Sequence, residues 1–306
     1  MASGRKDRTR ARVRSRSHTV HPSVKLGPCV LRFDHPKVMG IVNNTPDSFS
    51  GDGLGGEVLS AIRIGKTMFG AGAAIVDVGG ESTRPGSDPV PAKIEIERTI
   101  PVIEALSASS PGRVSIDTMK PEVAQAALQA GATIVNDVNG LRAPRMIEVV
   151  AEHDAATIIM HMSGRPKTMQ IRPRYKDVVK EIIEFLEDRV NAAEDAGVSP
   201  NKIMIDPGIG FGKNLNHNLE IIARLNEFRS LGKPIVIGVS RKAFIGKIAG
   251  LPPNERLEGS LAAAVLAVLG GANMVRVHDV PQTVRALAVA DAIIRESGQR
   301  TVSQGI

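Results

Sequence analysis

Asp117, Asn136, Asp206 and Lys242 form a set able to read a flat, donor-rich ring, because carboxylates and an amide oxygen accept hydrogen bonds while the lysine donates. Arg84, Arg276 and His278 form a second set, cations suited to phosphate oxygens, with each arginine able to bind bidentately. Four glycine-rich segments accompany them: NNTPDSFSGDGLGG (43–56), GGESTRPGS (79–87), PGIGFGK (207–213) and SRKAFIG (240–246). Glycine permits close backbone approach and hinging, and Ser, Thr and Arg bring hydroxyl and cationic contacts. The chemistry these types would serve is a heterocycle on one side and an anion on the other.

Such residues lie far apart in the chain, so the fold has to gather them. From Lys37 onward a short β-branched run, a polar or glycine-rich loop and a longer segment of helical periodicity recur. The strand-like runs are 38–43, 74–79, 113–117, 133–137, 157–161, 202–206, 234–240 and 274–279. Helix-like segments lie near 57–70, 93–108, 121–130, 144–152, 176–196, 216–231, 255–270 and 281–296. Pro121 and Pro281 suit first turns, and Gly131, Gly197 and Gly232 suit helix ends. Eight alternations with continuously apolar strands predict an α/β fold of the (βα)8 TIM-barrel type, not an open doubly wound sheet. VKLGPCVLRFDHP (24–36) is predicted as a hairpin plugging the N-terminal mouth.

In such a barrel the site lies at the C-terminal strand ends. There the sequence puts Asn43, Asp77, Asp117, Asn136, Asp137, His161, Asp206, Ser240, Arg241, Lys242, Arg276, His278 and Asp279. Burying an unpaired charge costs several kcal/mol, so their convergence calls for a ligand. A single strand-end carboxylate is more simply read as a partner of nearby backbone N–H groups. Asp77 and Glu81 are open between that role and substrate, and His161 is read as structural.

The 306 residues carry +7, but residues 1–20 hold seven Lys and Arg against Asp7, so the tail has +6 and the remainder +1. The expected organisation is a disordered basic tail (1–22), one barrel domain (23–298) and a short C-terminal tail (299–306). A transit peptide or a nucleic-acid arm are the alternatives for the tail; no nucleic-acid partner is expected of the folded part. No apolar run reaches the roughly 18 residues a membrane span needs. Cys29 is the single cysteine, which excludes an intramolecular disulfide and suits a cytoplasmic location.

MGIVN followed by TPDSFS, DVGGESTRPG, SIDTMKPEV, VNDV, MHMSG, DPGIGFGK, GVSRK and VRVHDV resemble the dihydropteroate synthase family from about Val24 to Ile294. The resemblance implies condensation of 6-hydroxymethyl-7,8-dihydropterin diphosphate with 4-aminobenzoate, with Mg2+, by loss of diphosphate to a pterin cation and then amine attack. It implies a pterin pocket of Asp117, Asn136, Asp206 and Lys242 walled by Val138, Met160, Phe211 and Gly238, and a diphosphate site of Arg84, Arg276 and His278. It further implies an aminobenzoate pocket of Phe49, Thr83, Pro85 and Ser240, Asn43 on the metal, and Asp52 as a catalytic loop residue. A homodimer is implied too, in keeping with the apolar, Ala-rich last two helices.

Three positions depart from the family pattern: Asn44 for an apolar residue, an inserted Gly51 displacing Asp52, and Ala243 for serine. Asn44 is open between surface exposure and a polar strand-end role. Together these changes point to altered aminobenzoate affinity and sulfonamide response. A pterin-binding methyltransferase domain is the first rival, although it needs no diphosphate clamp; an inactive paralogue is the second.

Overall fold

β-branched runs that are apolar on both faces need cover on both sides, and amphipathic helices supply it. A computed structural model describes residues 22–45, 53–83 and 86–296. The hairpin is β1 (Ser23–Leu26) and β2 (Cys29–Arg32). The barrel strands are β3 (Lys37–Asn43), β4 (Ile75–Gly79), β5 (Val114–Asp117), β6 (Ile134–Asp137), β7 (Ala156–Met160), β8 (Ile203–Asp206), β9 (Val236–Ile237) and β10 (Met274–Val277). Between and after them run α1 (Gly53–Gly70), α2 (Ala92–Ser109), α3 (Pro121–Gln129), α4 (Met146–Glu152), α5 (Val178–Asp195), α6 (Leu215–Ala223), α7 (Ala243–Ala249), α8 (Leu257–Leu269) and α9 (Val280–Glu296).

The eight-stranded parallel sheet runs β8-β7-β6-β5-β4-β3-β10-β9, and a parallel bridge between Ile205 and Ile235 closes it. The expected TIM barrel is therefore present. Val24 and Leu26 of the hairpin pack with Met39, Ile75, Ile134, Ile158, Met204 and Met274 from the first halves of the strands, sealing the N-terminal mouth as expected. The larger core lies between sheet and helices. The charged segment after 176 is an outer helix: α5 buries Val179, Ile182, Leu186 and Val190, and Asp177 caps it by accepting from the N–H groups of Val179 and Lys180.

Three boundaries differ from the sequence reading. The segment 216–231 is divided, because Arg224 leaves helical geometry with its guanidinium held by Glu220, Glu227 and Asp177, and a 3-10 run, Leu225–Leu231, follows. The seventh strand shrinks to Val236–Ile237, and the second half of the glycine-containing segment SRKAFIG is the start of α7. Arg241 sits there at φ +56, which ends extended backbone before α7 begins. Among the described residues no helix is long and apolar enough to cross a membrane.

Candidate active site at the C-terminal rim

Strand register brings the polar residues into layers. Asn43 pairs with Gly79, Gly79 with Asp117, and Asp117 with Asn136, so three of the expected residues share one level of the rim. A Cβ built on Gly79 would lie 3.5 Å from Asn43 Oδ1 and 3.6 Å from Asp117 Cβ, which places both side chains around that glycine. One layer deeper, Asp77 is opposite Ser115.

A pocket of about 290 Å³ opens at this rim, lined by Asn136, Val138, Met160, Asp206, Ile209, Phe211, Gly238, Lys242 and Arg276. Met160, Val138 and Phe211 belong to a small apolar cluster with Met162 and Met169, a wall fit for the face of a ring. Lys242 Nζ lies 4.3 Å from the centre of the Phe211 ring, a cation over an aromatic face. Gly238 leaves open space where a side chain would project.

Behind the pocket is an ion-pair network. Arg276 donates from Nε to Asp77 Oδ2 at 2.6 Å and from Nη2 to Asp117 Oδ2 at 2.6 Å. Asn136 donates from Nδ2 to the same Asp77 oxygen at 2.9 Å. Asp117 is the one expected pterin residue that does not border the pocket: the guanidinium holds it instead. Asp77, open between backbone and substrate in the sequence, is held by the side chains of Arg276 and Asn136.

Burial governs the charges. It pushes the Asp117 carboxyl up to about 7, against the pull of Arg276, and Asp77 nearby adds to the rise. Asp206 is raised by burial despite the Gly208 N–H it accepts at 2.7 Å and the neighbouring Lys242. Lys242 falls to about 8, from burial and then from the Arg276 charge. Arg276, although buried, is held above its ordinary value by Asp77 and Asp117. The rim is thus a set of charges in mutual competition.

The sequence profile described as pterin binding enzyme matches residues 39–278. The dihydropteroate synthase of Escherichia coli (strain K12) is 46% identical over 264 residues, covering 86% of this chain and 94% of that protein. The chain belongs to the dihydropteroate synthase family and is a transferase. Two solved structures of the Xanthomonas albilineans enzyme are similar. One, with 4-aminobenzoic acid, has a TM-score of 0.83 and 44% identity and covers 89% of this chain and 98% of that one. The other, with 7,8-dihydropteroate, has a TM-score of 0.81 and 42% identity, with the same coverage.

Against the family pattern, His278 needs correction. It was expected as a cation, but burial and then Arg276 and Arg241 lower it to about 4, so it is neutral near pH 7. Its backbone N–H donates to Ser240 Oγ at 3.2 Å, and that hydroxyl meets His278 Nδ1 at 3.1 Å. With the hydroxyl proton given to Nδ1, Nε2 carries the ring proton and remains a neutral donor. Ser240 is buried and, like Thr83, is not on the pocket lining. Arg84, Pro85, Phe49, Gly51, Asp52 and both tails (1–21, 297–306) lie outside the described residues.

Other residues support the rim, and two of them, Lys213 and Gly208, are not singled out in the sequence. Lys213, buried, lies 2.9 Å from His161 Nδ1 and donates to Phe211 O at 3.0 Å; burial lowers it to about 7. It joins the loop after β8 to the end of β7, and His161 is structural, as expected. The same junction requires Gly208, at φ +72, because a Cβ there would stand 2.0 Å from His161 O. Glu81 accepts from the Val90 N–H and pairs with Lys120, which also holds Glu95; it serves the loop after β4. Arg241 and Asp279 form a bidentate pair between the loops after β9 and β10. Asn44 is buried, not exposed: its Nδ2 donates to Arg98 O at 2.8 Å, fastening the end of β3 to α2. The signal for these roles lay in motif strings such as GFGK and SRK, but the partners are distant in sequence.

Proposed function

We propose that the chain condenses 6-hydroxymethyl-7,8-dihydropterin diphosphate with 4-aminobenzoate to give 7,8-dihydropteroate and pyrophosphate. The observation that carries this is one pocket in which acceptors of Asn136 and Asp206, the Lys242 donor, and apolar walls adjoin Arg276. A pterin ring stacks on Phe211 and Met160 and offers its amino and ring N–H groups to Asp206 and Asp117, while Lys242 donates to its acceptors. Residues 23–298 form the catalytic unit; removing residues 1–22 leaves turnover unchanged.

The reaction breaks the bond between the pterin methylene carbon and the diphosphate oxygen, which keeps the electron pair. The carbon cation is trapped by the amine, whose nitrogen then sheds a proton. Arg276, the His278 Nε2–H and Arg84 stabilise the departing charge, and the carboxylates of Asp117 and Asp206 stabilise positive charge spread over the ring. Phe49, Thr83, Pro85 and Ser240 frame the amine, and Asp52 acts in the loop after β3. Among the described residues no group of three or more His, Cys, Asp or Glu side chains is placed to hold a metal. One neutral oxygen, Asn43 Oδ1 beside Gly79, would hold a magnesium ion. When bound there, Mg2+ supplies neutralisation of diphosphate charge.

Incubating the purified protein with both substrates and Mg2+, and measuring pyrophosphate and dihydropteroate, tests this. Pterin binding without turnover supports the inactive paralogue, and methyl transfer without diphosphate use supports the rival enzyme. The Gly51 and Ala243 departures support an altered response to aminobenzoate and sulfonamides; ordinary KM and ordinary inhibition in steady-state kinetics would remove that idea. Leu266 and Leu269 on α8 and Val289 and Ile293 on α9 are exposed and apolar, which supports a homodimer through this face. The single cysteine supports a cytoplasmic setting.

A further inference from the structure

Arg276 has two carboxylate partners of different kinds. Asp117 stands at the rim, level with Gly79 and Asn136. Asp77 stands a layer deeper, fully buried, and is not on the pocket lining. Yet both Arg276 Nε and Asn136 Nδ2, from two residues that do line the pocket, rest on its one oxygen, Oδ2. The second oxygens of both carboxylates, Asp77 Oδ1 and Asp117 Oδ1, are buried without a hydrogen-bond partner. One guanidinium thus serves two carboxylates, with its Nη2 on Asp117 Oδ2.

We propose that Asp77 is the positioning residue for Arg276, holding it by Nε so that Nη2 can exchange Asp117 for the oxygens of the substrate's diphosphate. The idea rests on the function proposed above. Its physical basis is that a guanidinium offers donors on separate edges, so one edge can stay fixed while another changes partner. Were Asp117 the sole counter-charge, moving to the diphosphate would leave the guanidinium unanchored and strip Asp117 of its cation in one step. With Asp77 in place, Arg276 keeps a buried carboxylate throughout, and Asp117 is released to accept from the pterin. Ring recognition and diphosphate recognition are then linked through Asp77, which is not on the pocket lining.

The test compares two probes, the pterin diphosphate and the diphosphate-free 6-hydroxymethyl-7,8-dihydropterin, by calorimetric titration of wild-type protein and Asp77→Asn. Asparagine keeps an acceptor for Asn136 and removes the charge that holds Arg276; its amide nitrogen can occupy the position of Oδ1, which has no hydrogen-bond partner. The expected result is about tenfold or greater weakening for the diphosphate-bearing ligand, the usual scale for losing a bond to a charged group. The diphosphate-free ligand should change by less than about threefold on that scale. Equal losses on both ligands, or none, overturn the proposal. Arg276→Lys provides a second arm if Asp77→Asn fails to fold, since one ammonium cannot present a fixed edge and a free edge together. Wild-type affinity of Arg276→Lys for the diphosphate-bearing ligand would likewise overturn it. If the wild-type protein shows no preference for the diphosphate-bearing ligand, the failure belongs to the function proposed above.

Discussion

The two ends of the barrel handle charge in opposite ways. At the N-terminal end, Asp34 and Asp154 are lowered by their lysine partners, Lys37 at 2.7 Å and Lys202 at 2.6 Å, and both carboxylates remain largely in water. At the C-terminal end, Asp117 and Asp206 are raised by burial, and Lys242 is lowered by it. The bottom is electrostatically settled, each of these carboxylates with a close lysine and solvent. The top holds its charges out of water with incomplete pairing, and such a rim gains most from a ligand that completes it.

Arg276→Ala gives the sharpest break of that contrast, because it strands Asp77 and Asp117 without their cation. Losing one partner of a buried pair costs about 3–5 kcal/mol, to be read from denaturant unfolding, with turnover falling to background. Unaltered turnover would remove the top of the barrel from the chemistry. Next in size, Asp206→Ala and Asp117→Ala should each lower kcat/KM for the pterin substrate about 10- to 100-fold while the aminobenzoate KM stays near wild type. Equal losses on both substrates would mean that these carboxylates hold the fold and do not read the ring.

A pH series sharpens the comparison through Lys242. Its ammonium is charged below about 8, so pterin affinity should fall as pH rises through about 8, and Lys242→Arg should shift that limb to higher pH. Stability has the opposite sign. Between about 8 and 10.5 the unfolded chain binds the proton that the folded chain has shed, so this residue favours the fold increasingly as pH rises through that window. Chemical denaturation at pH 7 and 10 measures it. The smallest effect belongs at the bottom: Asp154→Asn takes the carboxylate from the buried Lys202 but leaves its ammonium on Asp154 O, so denaturant unfolding should show a smaller loss of stability than Arg276→Ala, with no change in turnover.

Much of this arrangement was legible in the residues. Of the eight positions expected to form the pterin pocket, all but Asp117 border it. Seven strands and most helices matched their apolar periods, since a parallel barrel writes its buried strands as continuous β-branched runs. The short β9 and the α7 turn were less legible, because Gly238 and the left-handed Arg241 interrupt both periods.

By itself the sequence determined the barrel, the end at which the polar residues gather and the family they belong to, because strand period, loop glycines and motif strings are local and repeat along the chain. Only tertiary structure decided who pairs with whom. It put Arg276 on Asp77 and Asp117, made His278 neutral and buried Asn44 against α2. Those outcomes depend on distances across the barrel and on how much water each group has lost, and neither quantity is carried by any local stretch of residues.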